Sequence, residues 1–255
     1  MSSFASYPSL RDRAVFISGG GSGIGASMVE HFCEQGAKVA FVDIDEPAAK
    51  ALVAKIAGAG HPAPLFHKCD VRDIAAFQAA IGELAGRLGD FTVLVNSAAR
   101  DDRHGLAEVT PAFWDERIAV NLRHQFFAIQ SVVPGMRKAG GGAIVNFSSV
   151  SYHAMTDRLS VYQAAKAAVE GLTRGLAREL GPDKIRLNSI TPGWIMTQRQ
   201  IDLWLTPEAE ADLMKAQCLK EKLYPPDIAR MVLWLAADDS RLVTAQNFFV
   251  DGGRA

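Results

Sequence analysis

Tyr162 and Lys166, four residues apart at the end of the stretch SVSYHAMTDRLSVYQAAK, form a pair around which a reaction could be built. The stretch runs from Ser149 to Lys166 and turns helical near the tyrosine, so positions i and i+4 share a face and the ammonium can approach the phenol. A phenol titrates near pH ~10 on its own, and a neighbouring cation favours its ionised form, which would make Tyr162 a base usable near neutrality. The same spacing also describes an aromatic ring packed on a lysine stem. Chemistry at this pair therefore requires that the rest of the chain supply a cofactor and an electrophile.

The amino-terminal third supplies the means to hold a cofactor. Ala14–Ser18 reads as a short apolar strand and ends in the glycine burst Gly19–Gly25; Met28, Val29, Phe32 and Cys33 then repeat at helical spacing until Gly36. A second strand, Val39–Val42, closes on Asp43. Strand, glycine loop, helix, strand and an acidic residue about 20 positions after the loop is a dinucleotide-binding arrangement. Glycines let the backbone turn tightly against a pyrophosphate, and the free N–H groups and dipole of the helix start attract its charge. A carboxylate at Asp43 can accept hydrogen bonds from ribose hydroxyls and would repel a 2′-phosphate, which favours NAD and leaves NADP possible. The alternative is that Asp43 caps the helix starting near Glu46.

Further along, Leu65–Lys68 reads as a third strand leading to Cys69, Asp70 and Val71, Ile74–Leu88 as an amphipathic helix, and TVLVN as a fourth strand ending at Asn96 among small residues. The polar loop Asp101–Gly105 is either a solvated connection or a holder for a hydroxyl-rich ligand. Pro111–Met136 is helical in pattern with Asn121 at its centre, and a poor helix former there predicts a bend or a local backbone bond. A fifth strand ends at Ser149, the Tyr162 helix runs to about Leu180, and a sixth strand ends at Pro192-Gly193. A segment of about 194–224 follows, then a helix over Pro226–Leu235 and the closing strand NFFVDGG. The expectation is an α/β chain: one Rossmann-type doubly wound parallel sheet of about seven strands, helices on both faces, one domain over 1–255, with the substrate segment inserted before the final helix.

Composition narrows the partners. Lys+Arg number 27 against 28 Asp+Glu, which argues against nucleic acid and anionic membranes. Three cysteines without paired spacing suit a reducing compartment, and no apolar run reaches the ~18 residues of a membrane span, so a cytoplasmic protein is expected. His67 and Cys69 have no second ligand cluster, so no metal is expected.

At this point the chain resembles the short-chain dehydrogenase/reductase family along essentially its full length. The motifs are Ser18-Gly19-Gly20-Gly21-Ser22-Gly23-Ile24-Gly25, Asn96-Ser97-Ala98-Ala99, the quartet Asn121, Ser149, Tyr162 and Lys166, Pro192 to Thr197, and Val250 to Gly253. Two of these depart from the family pattern: Ser18 stands for Thr, and Ala99 for Gly. The resemblance implies that Tyr162 takes the proton of a substrate alcohol and that Lys166 lowers the phenol's pKa and holds the nicotinamide ribose. It further implies that Ser149 bonds the reacting oxygen and that Asn121 bends its helix and anchors a water relaying protons from Lys166. The implied cofactor contacts are Gly19, Ser22, Gly23, Ile24, Gly25, Asp43, Ile44, Asp70, Val71, Asn96, Ser97, Ala98, Tyr162, Lys166, Pro192, Gly193, Ile195 and Thr197. A homotetramer is also implied, with the Asn121 and Tyr162 helices pairing across subunits; Ala165, Ala168, Val169 and Leu172 suit that burial and equally suit an internal core.

Within the family, segments such as DDRH, NLRH and PGWIMTQRQ resemble bacterial aldose 1-dehydrogenases, which oxidise the anomeric carbon of a pentose or 6-deoxyhexose to the lactone. A polyhydroxylated ring needs many polar partners. Asp101, Arg103, His104, Ser149, Ser151, His153, Gln163 and Arg199 are the candidates, with Trp194 or Trp204 as a stacking face, and each also has a reading as a surface or cap residue. The alternatives are a dehydrogenase of a secondary alcohol in a keto-deoxy sugar acid, a 3-oxoacyl reductase, and a non-enzymatic dinucleotide-sensing scaffold.

Overall fold

The short Val/Ile/Phe runs become strands, those at the centre buried on both faces as parallel strands between helical layers must be and the two at the edges only partly covered. The strands are β1 (Ala14–Ser18), β2 (Lys38–Asp43), β3 (Leu65–Lys68), β4 (Val93–Asn96), β5 (Gly142–Phe147), β6 (Ile185–Pro192) and β7 (Asn247–Val250). This is a computed structural model describing residues 4–255; the three residues before Phe4 lie outside the described residues. The strands form one parallel sheet in the order β3-β2-β1-β4-β5-β6-β7. The order reverses between β1 and β4, which opens a crevice at their carboxyl ends.

Alternate strand residues serve opposite layers. Val15, Ile17, Phe41, Val95 and Phe147 pack with α1 (Gly23–Glu34), α2 (Glu46–Gly58) and α9 (Pro225–Ala236). Phe16, Val42, Leu94 and Ile144 pack with α3 (Ile74–Leu88), α5 (His124–Lys138) and α6 (Ser160–Leu180). No helix among the described residues is long and apolar enough to cross a membrane.

Three local features differ from the sequence reading. The helix expected over 111–136 is α4 (Pro111–Ile118), a π turn (Ala119–Arg123) and α5. The cause is Asn121, whose amide donates to the carbonyls of Arg117 and Arg100, both at 3.0 Å, and accepts from the Arg100 N–H at 2.8 Å. Strand β5 stops at Phe147, so Ser149 stands two residues beyond it. The 194–224 segment holds two helices, α7 (Gln198–Trp204) and α8 (Pro207–Ala216). Each starts on a threonine cap: Thr197 accepts from Gln200 N and Thr206 from Ala209 N. The base of this excursion is closed by pairing of Ile195 with Leu223, whose carbonyl also accepts from Met196 N at 2.8 Å.

Candidate active site

The loop after β1 is shaped by the absence of side chains. A Cβ on Gly25 would lie 1.8 Å from the Gly19 carbonyl oxygen, one on Gly20 2.7 Å from the Phe41 side chain, and one on Gly19 2.7 Å from Ala98 Cα. Gly19 also turns through φ +72° and Gly23 through +54°, the left-handed region that glycine tolerates. The loop therefore lies flat against the sheet edge. Ser22 begins α1 without a side-chain cap bond, so neither it nor an acidic residue in the first turn occupies the helix's free N–H groups. That leaves them available to an anion. The Ser18 hydroxyl accepts from the N–H groups of Ser97 and Ala98 at 3.2 and 3.3 Å, so serine in place of threonine still ties the loop to the end of β4. Ala99 lies outside the left-handed region, and the missing glycine there causes no strain.

Asp43 ends β2 beside this loop. Its carboxylate accepts from Gly21 N at 2.8 Å and from Asp45 N at 3.0 Å. The cap of α2 is Asp45, which accepts from Ala48 N at 3.1 Å, so Asp43 is not needed for that task. Ile44 is 63% exposed, an apolar face left open next to the carboxylate. Thr197 crosses over from the sixth-strand side, close enough that a Cβ on Gly23 would meet its methyl at 3.1 Å. Ile195 is buried in the core, and Gly193 approaches so closely that a Cβ would lie 2.7 Å from Asp251 Cα. Pro192 pairs with Val250 at the sheet edge. These features fit a dinucleotide: a cradle without side chains, an unfilled helix start, a carboxylate and an apolar face.

Two other cofactor candidates have their side chains committed elsewhere. Asn96 is fully buried and donates to Asn146 Oδ1 at 2.9 Å, while Asn146 donates to Thr173 on α6 at 3.0 Å. Asp70 is clasped by Arg72, with contacts down to 2.6 Å, which lowers its pKa chiefly through that bond. Val71 is buried in the core. Any role of Asn96 or Val71 at the crevice falls to the backbone.

The reacting groups meet at the far side of the same edge. Tyr162 is in the first turn of α6, with the Ser149 hydroxyl near enough to its phenol to favour the ionised form. Ser149 Oγ in turn donates to Ser151 Oγ at 3.0 Å. Lys166 is 1% exposed, donates to the Phe147 carbonyl at 2.8 Å, and has its ammonium 5.6 Å from the centre of the Tyr162 ring. The expectation that Lys166 depresses the phenol's pKa needs correction. Burial, aided by the Asp101 carboxylate, holds the phenol above its ordinary range, and only the neighbouring Ser149 hydroxyl pulls it down. Burial also brings the ammonium of Lys166 down to about 7, against the opposing pull of Asp101. Asn121 is fully buried, and its backbone carbonyl, beside the π turn, accepts from Gln125 Nε2 at 3.2 Å.

With a glycine cradle and a Tyr–Lys–Ser cluster on one strand edge, the comparisons with known proteins are decisive. A family profile described as enoyl-(acyl carrier protein) reductase matches residues 19–255. A D-xylose 1-dehydrogenase of Caulobacter vibrioides is 50% identical over 251 residues, 98% of this chain and 99% of that one. The chain belongs to the short-chain dehydrogenase/reductase family. A probable galactose dehydrogenase of Rhizobium meliloti is likewise 50% identical, over 97% of this chain and 96% of its own. Among solved structures, a 3-oxoacyl-[acyl-carrier protein] reductase with bound NAD from Brucella melitensis superposes with TM-score 0.88 at 31% identity, covering 99% of this chain and 97% of that one.

The polar residues expected to meet the substrate of this dehydrogenase divide into two groups. Asp101 and Arg199 face each other: Arg199 Nη2 lies 3.3 Å from Asp101 and 3.0 Å from Asp102, and Gln200 donates to Asp101 at 2.7 Å. Trp194 Nε1 donates to Gln200 Oε1 at 2.8 Å. These bonds join the loop after β4 to α7. The others are used as braces. Gln163 donates to the carbonyls of Ser151 and Thr156, and Arg103 donates to the Asp157 carbonyl and stacks 4.9 Å over Trp204. His153 packs on Tyr152 and Phe249 and sits 3.6 Å from Glu170, with none of the reacting four among its contacts. His104 is 4% exposed, with its ring turned inward.

Sequence reasoning missed Asp102, Gln200 and Glu170. Asp102 gathers three arginines, Arg100 at 2.7 Å, Arg117 at 2.9 Å and Arg199 at 3.0 Å. Glu170 accepts from Ser148, Thr191 and Asn247, so one carboxylate ties α6 to the loop after β5 and to β6 and β7. Its one legible signal was a position four residues after Lys166 on the same helical face.

Proposed function

We propose that this oxidoreductase oxidises the anomeric carbon of an aldose to the lactone with NAD. The observation that carries the sugar assignment is the 50% identity, end to end, with a D-xylose 1-dehydrogenase and a probable galactose dehydrogenase, against 31% with the 3-oxoacyl reductase. When bound, the nicotinamide ring accepts the hydride leaving the sugar carbon. The loop Gly19–Gly25 and the start of α1 would hold the pyrophosphate, Asp43 the adenosine ribose and Ile44 the adenine face. Asp43 places its charge where a 2′-phosphate would be repelled, and no Arg or Lys stands in the glycine loop to offset it, which supports NAD over NADP.

The chain's own groups handle the proton. Tyr162, as the phenolate, takes it from the anomeric hydroxyl, while the Ser149 hydroxyl turns from Ser151 to donate to the same oxygen as charge develops there. Burial brings the Lys166 ammonium beside the Tyr162 ring down to about 7, so the charge it offers to a phenolate varies near neutrality. Asp101, Arg199 and Trp194 are the side chains offered to the sugar ring.

The reading extends to self-association. Ala165 and Val169 are buried within the chain itself, whereas Ala164, Ala167, Ala168 and Gly171 of α6 are exposed, as are Trp114 on α4 and Phe126 on α5. Small and apolar residues left open on these helices support their pairing in a homotetramer, which light scattering would test.

The function is tested by NAD and NADP reduction in parallel across pentoses, 6-deoxyhexoses and D-galactose. One sugar with NAD should dominate, and the absence of turnover with every aldose would overturn the assignment.

A further inference from the structure

The amino end of α6 carries Tyr162 and lacks a cap of its own. Its cap position is Leu159, which makes no side-chain cap bond, and the first turn contains no acidic residue. The first backbone bond of the helix runs from Gln163 N to the Leu159 carbonyl, which leaves the N–H groups before it to seek partners elsewhere. One partner comes from a residue 57 positions away: Val161 N donates to Nε2 of His104 at 3.2 Å. Val161 immediately precedes Tyr162.

The state of the imidazole follows from its neighbours. Nδ1 is 3.1 Å from the carbonyl of Asp102, which can only accept, so Nδ1 bears the proton. Nε2 then has a lone pair for the Val161 N–H, which can only donate, and for the Ser160 hydroxyl at 3.3 Å. Two backbone groups thus select one tautomer. The ring is buried against Phe113, at 5.0 Å between centres, and His104 N donates to the Arg158 carbonyl at 2.8 Å. Asp102, whose carbonyl orients the imidazole, is the residue that gathers Arg100, Arg117 and Arg199.

We propose that His104 is a positioning residue, capping the catalytic helix from the loop after β4 and thereby fixing the phenol of Tyr162. The loop that offers Asp101 to the sugar is thus also bonded, through His104, to the helix bearing the base. Through Asp102 the same loop is bonded to Arg199 on α7, so the substrate segment and the base share one anchor. The role rests on Tyr162 being the acid/base.

The test compares His104→Leu, His104→Gln and His104→Asn with the wild type and Tyr162→Phe, on NAD and the panel sugar that the wild type oxidises fastest. The glutamine amide oxygen can replace Nε2 as acceptor, whereas asparagine is too short and keeps only a group near Nδ1. His104→Leu should lower kcat by about 10- to 100-fold, the scale of a displaced reacting group, with KM for NAD and for sugar within about threefold of wild type. His104→Gln should recover most of the lost kcat, and amide exchange over residues 160–166 should be faster in the leucine variant than in the glutamine variant. If the leucine variant does not fold, the glutamine and asparagine pair makes the same comparison. Wild-type kcat in His104→Leu, or equal loss in the glutamine and asparagine variants, would overturn the positioning role. Near-normal turnover by Tyr162→Phe would instead defeat the base assignment, and the positioning role with it.

Discussion

Replacing Asp43 by alanine should change which coenzyme the protein prefers, and the structure bounds the size of the change. The side chain makes two hydrogen bonds, to Gly21 N and Asp45 N, at a partly exposed position where water can replace it. Folding should therefore lose only about 1 kcal/mol. Coenzyme binding should lose more. A hydrogen bond to a charged group contributes about 1.5–3 kcal/mol, so losing the carboxylate as ribose acceptor should lower kcat/KM for NAD by about 10- to 150-fold. For NADP the repulsion disappears: two unit charges ~5 Å apart at an effective dielectric of ~20 repel by ~3 kcal/mol, or about two orders of magnitude. Together these bring the NAD-to-NADP ratio of kcat/KM down by three to four orders of magnitude at most, on the sum of the two terms. The assay is initial-rate reduction of each coenzyme at saturating sugar, with thermal melting as a check on folding. An unchanged ratio in a folded variant would show that discrimination resides elsewhere, and a loss with NAD unaccompanied by any gain with NADP would refute the electrostatic half.

Tyr162→Phe should lose about 10²- to 10⁴-fold in turnover, as expected for removing a general base, while NAD binding measured by fluorescence persists. Lys166 has a folded-state pKa of about 7 against an ordinary 10.5, so between those values the unfolded chain binds more protons. The contribution of this group to stability therefore rises with pH across that window and is flat below it. Melting curves of wild type and Lys166→Met from pH 6 to 10 should diverge in the wild type's favour as pH rises; parallel curves would contradict the buried ammonium. Gly25→Ala puts a Cβ 1.8 Å from the Gly19 carbonyl oxygen, so the loop must move and NAD affinity, read by calorimetry, should fall below detection.

Much of this was legible in the chain because it depends on local patterns. The strands Ala14–Ser18 and Leu65–Lys68 and the helix Ile74–Leu88 fall where period and glycine punctuation put them. The break at Asn121 was anticipated as a residue out of place in a helix, though not that its bonds would reach back to Arg100. The Thr206-Pro207 start of the last substrate-segment helix is a plain cap signal, which reading 194–224 as one undivided segment passes over. The roles of His104, Gln163 and Asp102 were not legible, because each is decided by a partner 57, 12 and 97 positions away. A polar residue in a loop reads the same whether it faces a ligand or a backbone amide. Likewise, a lysine four residues from a tyrosine says nothing of burial, and burial reversed the expected shift of the phenol.

The pairing of Ile195 with Leu223 has an evolutionary consequence. The chain leaves and returns side by side there, so the spacing of β6 and α9 is set outside the 27 residues between those two positions. Those residues are tied to the body by Arg199 and Gln200 at the Asp101 loop and by Cys218 and Leu219 at Gly253 and Gly252, and can lengthen or shorten between those ties. Loop closure penalises such changes weakly, since doubling a loop costs only ~0.6 kcal/mol. The scaffold that holds the coenzyme and the base can thus keep its dimensions while the cassette grafted onto it takes a new substrate.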